Sequence, residues 1–99
     1  MWDNIIKDLK NKIKGIQGIQ RIYNSSSKLL NDIADVYERY GFELVNLFIS
    51  EKISRANEEG KIQLELIKQI IKILNEYPEI RNNRHIGRYL IKNLKNVIS

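Results

Sequence analysis

SSSKLLNDIADVYERYGFELVNLFISEKISRANE, residues Ser25 to Glu58, is the stretch whose reading decides the fold. Its apolar side chains fall at Leu29, Leu30, Ile33, Val36, Tyr37, Tyr40, Leu44, Val45, Phe48, Ile49 and Ile53. Steps of three and four residues trace one helical face, and the register runs through Gly41 without a slip. Asn24 and three serines ahead of this period mark a turn and an N-cap, so a helix is expected from Lys28. No other stretch is long enough to serve as the central post of a small bundle.

Gly41 leaves two readings. Inside a helix, it permits one continuous element through the whole stretch. As a C′ residue, it ends a helix at Tyr40. Residues 42–49, FELVNLFI, are then expected as a short buried strand, because periodicity alone does not type a short apolar run. The segment Tyr37–Ile49, YERYGFELVNLFI, resembles the helix–glycine–strand junction near the end of SPFH (stomatin/prohibitin-like) domains. Those domains also put a tyrosine-glycine pair before an ELVN-like strand. The resemblance implies an α+β fold with a strand at 42–49, the alternative to an all-α bundle.

Upstream, residues 3–23 read as a first helix, with Trp2, Ile5, Ile6, Leu9, Ile13 and Ile16 at helical spacing and Asp3 at the favourable end of the dipole. Gly15 and Gly18 weaken its second half, so an end or kink is expected near Gly15. Downstream, Asn57-Glu58-Glu59-Gly60 closes the central stretch, with Gly60 expected as a helix stop. A third helix is expected over 61–76. Ile62, Leu66, Ile67, Ile70, Ile71, Ile73 and Leu74 give it an apolar face wider than half the cylinder. Such a helix is packed on two sides or carries a face for homo-oligomerisation. Pro78 ends it. A last helix begins at Pro78 or after Asn83, with Ile86, Tyr89, Leu90, Leu94, Val97 and Ile98 as its apolar face. The sum is an all-α, small four-helix bundle, a single helical domain over residues 1–99.

The chain has no cysteine, which excludes a disulfide framework and a thiolate metal site and suits a cytoplasmic protein. Its apolar runs are too short for a membrane span, and charges throughout MWDNIIKDLKNKIK exclude a signal peptide. The net charge is +5, with 18 Ile, 11 Lys, 11 Asn and only two Ala. That bias is the signature of an A/T-rich coding sequence, where lysine accumulates without selection for binding. The charge is also unevenly placed. Residues 1–23 carry five Lys/Arg against two Asp, residues 25–58 four against six acids, and residues 78–99 five against one. Terminal helices that flank an acidic central one would neutralise it.

Arg81, Arg84, His85, Arg88, Lys92 and Lys95 form a stripe on the last helix, at steps of three, four and seven. They are the candidate partner-binding residues. Four of them crowd the first turns, where positive charge opposes the helix dipole. Arginines around a helix N-terminus suit a phosphate or a carboxylate. No phosphate loop, dinucleotide fingerprint or zinc spacing is present, and His85 is the only histidine. No catalytic residues, cofactor or metal are therefore expected. The expected function is non-enzymatic: binding another protein, as small basic helical bundles of the immunity, phage-inhibitor or adaptor type do. The alternative is a nucleic-acid binder that uses the basic C-terminal helix. A helix-turn-helix over 61–98 would have an overlong linker in NEYPEIRNN.

Overall fold

The computed structural model describes residues 2–99 and is helical almost throughout. Seven α-helices run α1 (Trp2–Lys14), α2 (Ser27–Tyr40), α3 (Phe42–Arg55), α4 (Glu58–Asn75), α5 (Pro78–Arg81), α6 (Arg84–Lys92) and α7 (Leu94–Val97). A 3₁₀ segment, Ile19–Asn24, lies between α1 and α2. The first helix thus ends before Gly15.

The central stretch forms two helices that share one residue. Ser26 caps α2 by accepting the Leu29 N–H at 3.1 Å, as its serines lead one to expect. Gly41 then stops α2. Its N–H bonds to the Tyr37 carbonyl, and its φ of 89° and ψ of −170° turn the chain sharply. An L side chain is strained at that φ, so the position calls for glycine. The next residue already starts α3, and residues 42–49 are helical rather than a strand. Phe42, Phe48 and Ile53 pack on the core beside buried Val45 and Ile49 at four-residue spacing. The continuous long helix and the strand are both corrected. The turn at Gly41 also breaks the single apolar register. Tyr40, on the expected core face, is 56% exposed, and Leu44 is 48% exposed.

Gly60 is not a stop either. Asn57 Oδ1 accepts the Gly60 N–H at 2.8 Å and caps α4, whose first turn carries Glu58 and Glu59 toward the positive dipole end. At 18 residues, α4 is the longest helix. Leu64, Leu66, Ile67, Ile70, Ile71 and Leu74 are all buried. They pack on α1, the 3₁₀ segment, α3 and α5, so most of the wide apolar face is covered within the chain, while Ile62 stays exposed. Each such side chain contributes about 1.5–3 kcal/mol by leaving water. Both proposed starts of the last helix are used: Pro78 is the first residue of α5, and Asn83 precedes α6.

α2 packs most extensively on α6. The contact is close because Gly87 of α6 has no side chain. A Cβ there would stand 2.3 Å from Tyr37 Cε2 and 3.0 Å from its Cζ. Tyr37 is 1% exposed. Among the described residues, no helix is long and apolar enough to cross a membrane.

Candidate functional site

The α2–α6 contact fixes where the basic stripe goes, and it divides the stripe. Arg88 turns onto α2. Its Nε donates to Asp35 Oδ1 at 2.8 Å and stands 3.6 Å from Glu38 Oε1. The hydrogen bond to Asp35, then its charge, raise the Arg88 pKa further. Asp35 thereby pairs across helices, from α2 to α6. Part of the basic charge at the C-terminus does neutralise the acidic α2.

Arg81 and Arg84 are exposed but face the α2–α3 junction. Arg81 Nη1 donates to the Asn75 carbonyl at 3.2 Å. Arg84 Nη1 stands 2.6 Å from where a Gly41 Cβ would be, so its guanidinium lies over the glycine. Among the described residues, neither arginine has a carboxylate partner. With Tyr37 and the first residues of α3 they line a cleft of about 370 Å³. Burial pushes the Tyr37 hydroxyl pKa up, and the charges of Arg84 and Arg81 oppose that rise. The remaining stripe residues stand apart from this cleft: His85 and Lys92 are exposed on α6, and Lys95 is half-buried on α7.

A second feature escaped the sequence reading. A groove of about 370 Å³ runs between α1 and α6–α7, lined by Trp2, Ile6, Ile86, Tyr89, Leu90 and Val97, with Lys10 beside them. Trp2 is 36% exposed and Tyr89 66% exposed, although helical spacing placed both in the apolar set. The groove exists because α6 is only nine residues long and ends at Asn93, which bonds back to Tyr89 O at 2.8 Å. α7 then starts at Leu94, directly after Asn93. The asparagine pair Asn93 and Asn96, interrupting an apolar period, was the available signal. A larger cleft, about 490 Å³ between α2, α3 and α4, holds none of the basic stripe.

No protein-family model matches the chain, and no significant match is found among curated proteins or solved structures.

Proposed function

We propose that this chain is a non-enzymatic binding protein that docks a segment of another protein in the α1/α6–α7 groove. The observation that carries this reading is the pair Trp2 and Tyr89, both substantially exposed over an apolar floor of Ile6, Ile86, Leu90 and Val97. Tryptophan and tyrosine dominate the energetics of protein interfaces, and soluble chains rarely leave them together in a groove without use. Charge supports an acidic partner segment. Lys10 lines the groove, and α1 carries four lysines against two aspartates. The docked element therefore offers an apolar anchor flanked by Asp or Glu.

Photo-crosslinking tests this directly. A benzophenone amino acid in place of Tyr89 is expected to trap a discrete protein adduct in cells of the source. The same group at Glu58, exposed on α4, is expected to trap none. Absence of an adduct at position 89, or identical adducts at both positions, would refute the groove. Nucleic-acid binding is the second reading, favoured by the unpaired Arg81 and Arg84. An adduct removed by nuclease would promote it.

A further inference from the structure

The Tyr37 hydroxyl is the least explained polar group in the fold. The residue is 1% exposed, and its Oη is buried with no hydrogen-bond partner among the described residues. Buried hydroxyls nearly always find a partner, and one left alone is a cost that phenylalanine would avoid. Packing does not require it. The contact with Gly87 uses ring carbons Cε2, Cδ2 and Cζ. Tyr37 lines the cleft where Arg81 and Arg84 stand, and the charges of both arginines act on its hydroxyl.

The opposite wall of that cleft is the N-terminus of α3. Gly41 precedes it and offers no side chain to cap it. Among the described residues, the N–H groups of Phe42, Glu43 and Leu44 have no acceptor, whereas the first turns of α2 and α4 are capped by Ser26 and Asn57. The aligned peptide dipoles put positive potential at the same point. Two guanidinium groups without carboxylate partners, a buried phenolic donor and a run of free amides thus converge on one cleft. Glu43 also lines the cleft, exposed to solvent, and its carboxylate pairs with neither arginine.

We infer that this cleft binds a phosphate group, with Arg84 and Arg81 as charged arms, Tyr37 as a buried hydroxyl donor and the α3 amides as backbone donors. Donors arriving from α2, α3, α5 and α6 suit a tetrahedral anion better than a planar carboxylate, which takes its bonds in one plane. The site is separate from the α1/α6–α7 groove and stands or falls independently of it.

The test is a titration of the ¹⁵N-labelled chain with sodium phosphate, against sodium chloride at matched ionic strength. Saturable shifts are expected at the Phe42 and Glu43 amides. Acetate is expected to produce markedly smaller ones. O-phosphoserine beside inorganic phosphate separates an ester-borne group from the free ion, and saturation by either supports the site. Arg84→Gln, at an exposed side chain, is expected to weaken binding by about tenfold or more. Tyr37→Phe is expected to weaken it while leaving the unliganded chain as stable as before or more so, since an orphan hydroxyl is removed. A purely structural tyrosine would not separate those two readouts. No response beyond the chloride control, an equal response to acetate, or wild-type affinity in both variants would overturn the assignment.

Discussion

Gly87→Ala is the substitution on which the packing argument is most exposed. The added Cβ would stand 2.3 Å from Tyr37 Cε2, 3.0 Å from Cζ and 3.2 Å from Cδ2. All three atoms belong to one rigid ring that is 1% exposed, so the ring does not swing aside as the end of a flexible chain would. Either α6 moves away from α2 or Tyr37 leaves its rotamer. Overpacking of this kind costs about 1–3 kcal/mol, and a contact this short belongs at the upper end. Alanine recovers about 1 kcal/mol of helix propensity inside α6. The expected net loss is about 2 kcal/mol. For a chain of this size it corresponds to a fall of about 8–16 °C in the melting temperature. Urea unfolding followed by circular dichroism measures it. In a Tyr37→Leu background the penalty is expected to shrink, because the obstructing ring is gone. Gly15→Ala is the control, since a Cβ there meets nothing closer than 3.5 Å. It is expected to be neutral or stabilising by up to about 1 kcal/mol. A Gly87→Ala chain as stable as wild type would refute the close α2–α6 packing.

Three other outcomes follow from the same structure. Gly41→Ala is expected to cost about 1–3 kcal/mol through its positive φ, read as a lowered urea midpoint with helicity retained. Arg88→Ala removes a solvent-screened ion pair and is expected to lower the urea midpoint only slightly. A double-mutant cycle with Asp35→Asn should show that coupling fading in high salt. Tyr77, which anchors α1 by donating to Asp8, holds the Asp8 carboxyl below its usual range. A carboxyl with a lowered pKa adds stability that is complete above its ordinary value and lost as pH falls through and below about 4. Tyr77→Phe is expected to flatten that acid limb of the stability curve, measured by urea unfolding at stepped pH.

The fold class was legible because every long element keeps a three-and-four apolar spacing, and the serine cap before α2 stands where it was expected. What was not legible lies at glycines. Gly41 serves as both stop and start, and a single residue of backbone reversal leaves no mark on periodicity. The apolar register continues across it in sequence but not in space, which is why Tyr40 and Leu44 are exposed. Gly60 is a stop in a pattern that ignores Asn57, yet the asparagine cap decides and the helix begins before the glycine. Gly87 gave no warning, since its meaning lies in a ring from another helix. The stripe at 81–95 was visible as a pattern, but its partition was not. Only tertiary contact turns Arg88 onto Asp35 and leaves Arg81 and Arg84 facing a cleft. The groove stayed hidden because Trp2 and Tyr89 carry the same spacing as core residues.

Comparative capture of binding partners on the immobilised chain tests the account most directly. Three versions are compared: wild type, Trp2→Ala with Tyr89→Ala, and Arg84→Gln with Lys92→Gln. Loss of interface anchors worth about 2 kcal/mol lowers affinity about 30-fold. A specific protein held by wild type is expected to be lost from the groove variant and kept by the charge variant. Retention by the groove variant with loss from the charge variant would contradict it, and would move the binding surface to the arginines.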